Sequence, residues 1–162
     1  MTFLDRNIIF CDIDGVFNSE RTILVSEERG FFHFDPVAVK LVSLLCDNTD
    51  SKLVISSTWR LNYKEYALTH LLEVAGFQKK HFYYDAFYTP RNHSCVTRGE
   101  DVQGWIDING VPKKYICIDD RADFFDYQNL VQTDPKLGFS ADNYWDAMEK
   151  LGAVQTRKLV AF

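Results

Sequence analysis

Apolar positions along this chain follow two rhythms. Solid runs at Ile8-Ile9-Phe10-Cys11, Lys52-Leu53-Val54-Ile55-Ser56 and Tyr115-Ile116-Cys117-Ile118 have the length and continuity of strands buried on both faces. Between and after them, apolar residues recur at helical spacing. The stripes are Val37, Leu41, Leu44 and Leu45; Tyr63, Ala67, Leu71 and Val74; Val102, Trp105 and Ile106; and Tyr144, Trp145, Met148 and Leu151. Punctuation agrees with the stripes. Asp35-Pro36 reads as an N-cap with proline at the first helical position, Gly76 and Gly152 as helix stops, and Glu100-Asp101 as an acidic first turn. Leu130-Val131-Gln132 predicts a short edge strand, and Phe82 to Tyr88 either a further strand or an irregular return.

Strands alternating with helices predict an α/β fold, a three-layer, Rossmann-like parallel sheet with helices on both faces. Two β-prone runs, Arg21–Ser26 and Phe31–Phe34, flank Glu27-Glu28-Arg29-Gly30 and predict a β-hairpin flap. Its aromatic half either folds over the first strand's end or simply packs. The gaps between strands hold one helix and a loop each, so no large cap domain fits, and residues 1–162 are expected to form a single domain.

Composition narrows the class. The chain is 46% hydrophobic and 25% charged, an ordinary globular balance, with a net charge of -5. That sign predicts no strong general binding to nucleic acid or to an anionic membrane. Cys11, Cys46, Cys95 and Cys117 are far apart in sequence and form no CxxC pair, which suits core thiols in a reducing compartment. No signal peptide opens the chain and no apolar run approaches spanning length, so a cytoplasmic protein is expected.

The candidate chemistry sits where the strands stop. The first run ends in Asp12-Ile13-Asp14-Gly15, the second in Ser56-Ser57-Thr58-Trp59-Arg60, the third in Asp119-Asp120-Arg121. Carboxyl ends of neighbouring parallel strands share one crevice, where such sheets bind ligands. Alternation along an extended strand would put Asp12 and Asp14 on one face, with Gly15 turning the backbone away. Four carboxylates in one crevice raise each other's pKa, and a hard cation such as Mg²⁺ relieves the repulsion. Hydroxyls and a nearby arginine would then hold an anionic group.

In this order the residues resemble the haloacid dehalogenase-like (HAD) phosphatase superfamily. Asp12-Ile13-Asp14-Gly15 matches its first motif, Ser56 its second and Asp119-Asp120 its fourth. Arg98, in Thr97-Arg98-Gly99-Glu100, is the best match to the third, where lysine is commoner; Lys113 and Lys114 are alternatives near the start of the last buried strand. Ile55–Arg60, Arg98-Gly99-Glu100 and Ile118–Arg121 look like the small, nearly lidless members that occur in RNA-repair proteins. The phosphatase half of phage polynucleotide kinase is similar. The resemblance spans Ile8 to about Ser140.

It implies a Mg²⁺-dependent phosphomonoesterase. Asp12 would attack phosphorus and become an aspartyl-phosphate, and Asp14 would protonate the leaving oxygen and later activate water. The metal would be held by Asp12, the backbone carbonyl of Asp14, and Asp119 or Asp120. Ser56 and Arg98, with Ser57 and the Gly15 turn, would hold the phosphate oxygens. The substrate would be a phosphorylated nucleotide, nucleic-acid end or small phosphoester.

Each residue alone has a plainer reading. Ser56 and Ser57 suit caps of a turn, Asp119-Asp120 a solvated turn, and Arg98 a surface arginine. Trp59 suits the core and Arg60 a surface ion pair as well as either suits a substrate contact. His33 and His93 read as structural or exposed. A signalling receiver domain is excluded, because there the acid pair ends the first strand and a lone phosphorylated Asp follows later. The remaining alternative is an idle HAD-fold interaction module, which predicts a missing acid; none is missing.

Overall fold

In a computed structural model the fold is described for residues 2–26, 34–90 and 97–153. Its centre is a parallel sheet ordered β2-β1-β3-β4, built from β1 (Phe3–Cys11), β2 (Ser51–Ile55), β3 (Val111–Asp119) and β4 (Leu130–Gln132). β1 lies centrally, paired at Cys11 with Ile55 on one side and Ile118 on the other. This three-way register sets the three polar strand ends level with one another.

Alternation along the strands sends side chains to two cores. Ile9, Cys11, Leu53, Ile55, Ile116 and Ile118 face a cluster shared with Val42, Leu45, Leu68, Leu72 and Met148. These come from α2 (Pro36–Thr49), α4 (Glu65–Ala75) and α6 (Ala141–Lys150). Ile8, Phe10, Val54 and Cys117 face the other way, against Val102, Trp105 and Ile106 of α5 (Arg98–Asn109). Trp105 meets Phe10 edge-on at 5.2 Å and donates its indole N–H to the Ala86 carbonyl at 2.9 Å. A buried indole thus keeps both its packing and its one polar demand.

α2 begins and α4 ends as their punctuation predicts, whereas α6 ends at Lys150, just ahead of the stop expected at Gly152. The Asp35 side chain accepts from the Val37 N–H ahead of Pro36, and Thr97 and Ser140 form reciprocal capping boxes with Glu100 and Asn143. Gly76 closes α4 at φ 124.

The flap expectation is corrected. Arg21–Val25 belongs to a short helix, α1 (Glu20–Val25), whose N-cap Ser19 accepts from the Thr22 N–H. β propensity measures fit to a pleated, half-buried surface, and no strand edge is paired here; none of the α1 residues is buried. Of the second run, Phe31–His33 lie outside the described residues, as do His93 and Cys95, while Phe34 packs on Phe17 and Trp59. Phe82–Tyr88 is the irregular return, a 3₁₀ turn at Tyr84–Ala86 preceded by another at Lys79–His81, and it is tied to β2 by single bridges, Leu53 to Phe82 and Ile55 to Tyr88. A short helix, α3 (Trp59–Asn62), follows β2. No large cap is present among the described residues, nor a helix long and apolar enough to cross a membrane. Cys11, Cys46 and Cys117 are buried free thiols, and burial pushes all three up, away from the reactive thiolate.

Candidate active site

Asp12 extends the parity of Ile8 and Phe10, and Asp119 that of Cys117, so both carboxylates emerge on the α5 side of the sheet. Cys11 pairs with Ile118, and the Asp12 N–H donates to the Ile118 carbonyl at 2.9 Å, which places Asp12 beside Asp119. Both are buried, at 2% and 0% exposure. Two buried carboxylates side by side are costly unless a cation stands between them.

Arg98, the first residue of α5, supplies one. Its Nη2 lies 3.1 Å from Asp12 Oδ2 and its Nε 3.5 Å from Asp119 Oδ2, while Nη1 donates to the Ser56 carbonyl at 2.6 Å. Gly99 lets this helix start sit so deep. A Cβ there would stand 2.7 Å from Gln128 Oε1 and 2.9 Å from the Phe125 nitrogen. Lys113 and Lys114 lie at the start of β3, the far end of the sheet; Lys113 faces Asp5 at 3.7 Å and Lys114 donates to the Leu151 carbonyl.

One guanidinium does not neutralise this crevice. Burial pushes the Asp12 carboxyl up, against the lowering pull of Arg98, of the Ser57 hydroxyl and of the Ile13 N–H at 2.7 Å. Burial and then the Asp12 charge push Asp119 up to about 8. Asp119 Oδ1 accepts from the Arg121 N–H at 2.9 Å, but its Oδ2, like Arg98 Nε, has no hydrogen-bond partner. Asp12, Asp119 and the half-buried Asp120 bring carboxylate oxygens within 4.8 Å of one another. Opposite oxygens around an octahedral Mg²⁺ lie about 4.2 Å apart, so this all-oxygen set fits such an ion, with the orphaned Asp119 oxygen left for it. Asp120 is packed on the Gly15 turn, where φ is +72 and a Cβ would meet its carboxylate at 2.7 Å.

Asp14 does not share the face of Asp12. Extended backbone ends at Asp12, because the Ile13 carbonyl accepts from the N–H groups of Val16 and Phe17 and closes a turn. Asp14 is exposed, with its carboxylate outside the acid cluster. Asn18 Nδ2 donates to its Oδ1 at 2.7 Å and Trp59 Nε1 to its Oδ2 at 3.0 Å.

The segment after β2 divides its residues differently from the sequence expectation. Ser57, rather than Ser56, puts its hydroxyl on the Asp12 carboxylate, while Ser56 offers its carbonyl to two arginines, Arg98 and Arg60. Arg60 is not placed to meet a substrate. It is 4% exposed, donates to the Ser56 and Ser57 carbonyls at 2.9 and 3.0 Å, and pairs with Asp101 at 2.6 Å. Trp59 is mostly buried, stacked on Tyr63.

Sequence reasoning missed Asp101, Asn18, Thr133 and Gln128. Asp101 read as a helix-dipole acid but faces inward to Arg60. Thr133 donates its hydroxyl to the Gly15 carbonyl at 2.9 Å, and Gln128 its amide to the Gly99 carbonyl. Only the position of Asp101, one helical turn past Arg98, offered a signal.

Acids closing the central strands of a parallel sheet, with the cation of an adjacent helix start between them and no large cap among the described residues, define a HAD-type α/β domain. The chain belongs to the family described as the HAD domain in Swiss Army Knife RNA repair proteins, whose model matches residues 8–144. No curated protein and no solved structure gives a significant match.

Proposed function

We propose that this chain is a Mg²⁺-dependent phosphomonoester hydrolase working through an aspartyl-phosphate on Asp12. The observation that carries the reading is the trio Asp12, Asp119 and Asp120, its oxygens within 4.8 Å of one another and Arg98 alongside. Family membership supports it, since HAD domains are broadly hydrolases of this type.

The roles follow from the contacts. The Ile13 N–H, the Ser57 hydroxyl and Arg98 orient the Asp12 carboxylate without filling all its lone pairs, leaving it able to attack phosphorus in line. Arg98, beside Asp12, would pass hydrogen bonds to the non-bridging phosphate oxygens, and the Ser57 hydroxyl on the same carboxylate is the second donor for them. Asp14, on the turn after Asp12 and open to solvent, is the proton carrier, giving its proton to the leaving oxygen and then taking one from water. Asp12, Asp119 and Asp120 would hold the Mg²⁺, which when bound neutralises their mutual repulsion and that of the phosphate.

For the substrate we propose a phosphate on a nucleotide or nucleic-acid end. Support comes from the RNA-repair setting of the family and from the lack of a large cap among the described residues. The net charge of -5 argues for recognition of the end itself rather than of a long stretch of backbone.

Hydrolysis of an aryl phosphate tests the chemistry. Purified protein should turn over with Mg²⁺, stop with chelator, and lose at least ~10³-fold activity in Asp12→Asn. Equal activity in that variant removes Asp12 as nucleophile, and an inert wild type favours the interaction module. Release from a 3′-phosphorylated oligonucleotide, a 5′-phosphorylated one and free nucleotides then ranks the substrates. Indifference among them defeats the nucleic-acid-end assignment.

A further inference from the structure

Asp14 is exposed, yet its carboxylate is held at both ends. Asn18 Nδ2 donates to Oδ1 at 2.7 Å, and Trp59 Nε1 donates to Oδ2 at 3.0 Å. An exposed aspartate needs neither bond for stability, because water satisfies it. The two donors are anchored differently. Asn18 belongs to the turn that carries Asp14, with which it shares an isolated bridge. Trp59 belongs to the segment after β2, stacked on Tyr63 at 5.3 Å and tilted against Phe34 at 5.8 Å.

That segment reaches Asp12 as well. The Ser57 hydroxyl bonds the Asp12 carboxylate, and the Trp59 backbone N–H, which Trp59→Phe would leave in place, donates to Ser57 Oγ at 3.3 Å. Ser57 and Trp59 therefore grip the two acids of the first motif from one short loop, one acid each. The spacing between Asp12 and Asp14 is set across strands rather than only along the chain.

We propose that Trp59, with Asn18, is a positioning residue for proton transfer by Asp14, an inference that rests on the phosphohydrolase reading above. In the transfer step a new bond forms between an Asp12 oxygen and phosphorus while the bond from phosphorus to the leaving oxygen breaks. The Asp14 O–H proton passes to that leaving oxygen, and Asp14 is left as a carboxylate. Two fixed donors stop the carboxyl group rotating freely in solvent and hold it at one angle to the attacked phosphate. Orientation of this kind speeds a step only when the step needs the proton.

Leaving-group dependence reads that need directly. An alkyl phosphate requires protonation of its leaving oxygen, whereas a nitrophenyl phosphate departs readily without it. The value compared is kcat/KM for each ester, which reports the steps up to departure of the leaving group. Asp14→Asn should lower the alkyl-to-aryl ratio by ~10²-fold or more. Trp59→Phe keeps an aromatic ring against Tyr63 but removes the N–H, and should lower the same ratio about tenfold, the worth of one hydrogen bond to a charged group. Asn18→Ala should lower it similarly, and adding Trp59→Phe to Asp14→Asn should lower it no further.

A Trp59→Phe enzyme that loses alkyl and aryl activity equally has only a packing role at that position, which overturns the proposal. An unchanged ratio in both Trp59→Phe and Asn18→Ala overturns it too. A wild type that hydrolyses neither ester instead defeats the underlying function, so the two failures are distinct.

Discussion

At Gly15 the absence of one methyl group shapes the site. Its φ of +72 lies in the left-handed region, and a Cβ would stand 2.7 Å from the carboxylate of Asp120. Gly15→Ala should cost about 1–3 kcal/mol, from strain in the turn and displacement of Asp120. A thermal melt measures the stability loss, and a Mg²⁺ titration of the same protein should show weakened binding because one carboxylate has moved. The glycine was legible, as the end of an Asp-x-Asp-Gly turn after a buried strand. What it makes room for was not, since Asp120 lies more than a hundred residues away. The two serines teach a similar point. Sequence marks both as hydroxyls at a strand end, and only the turn after Ile55 decides that Ser57 meets Asp12 while Ser56 turns its carbonyl to Arg98 and Arg60.

Between elements, the junction of α3 with α5 carries a second buried arginine. Arg60 leaves α3 to pair with Asp101 of α5 at 2.6 Å, and its other nitrogen holds the Ser56 and Ser57 carbonyls. The Ser56 carbonyl thus accepts from Arg60 and Arg98 together, locking the loop after β2 to the start of α5. Removing one partner strands the other charge in a dry interior. Arg60→Met should therefore cost about 3–5 kcal/mol, and Arg60→Met with Asp101→Leu should recover part of it. Urea midpoints of the two variants check this; a double variant no better than the single would show that the contacts to the carbonyls, not the ion pair, are what matters. The start of α2 was readable, because Asp35 acts on a neighbour two residues on; Thr97 and Ser140 cap α5 and α6 just as locally, though the sequence reading passed over them. The predicted hairpin failed for the complementary reason. A strand needs an edge to pair with, no sequence window contains that edge, and a local Ser19 cap is enough to wind Glu20–Val25 into a helix.

Over the whole molecule, the buried carboxylates Asp12 and Asp119 stand side by side at the ends of the two central strands. Asp119 is pushed up to about 8 from its ordinary 3.8 by burial and the neighbouring Asp12, so the folded protein keeps a proton there that the unfolded chain releases. With νN above νU between those two values, stability contributed by this group is complete below pH ~4 and is lost as pH rises through about 8. With chelator present, the stability of wild type should therefore fall relative to Asp119→Asn across that window, as urea unfolding at pH 5 and pH 8.5 would show. Saturating Mg²⁺ should flatten the wild-type fall, because a cation bound to the folded state alone stabilises it by about 2.7 kcal/mol at a hundred times its Kd. A wild type and an Asp119→Asn variant with parallel pH profiles would refute the buried-charge account. What the sequence by itself determined is everything carried by neighbours in the chain: strand and helix rhythm, caps, the acids at strand ends, and hence the parallel α/β class. The tertiary structure alone decided which acids share a volume. Register between β1 and β3 puts Asp12 beside Asp119, a turn sends Asp14 out to Trp59, and α5 drives Arg98 into the gap. The physical reason is range: propensity and periodicity act within a few residues, whereas burial and charge act across space, between residues the chain holds far apart.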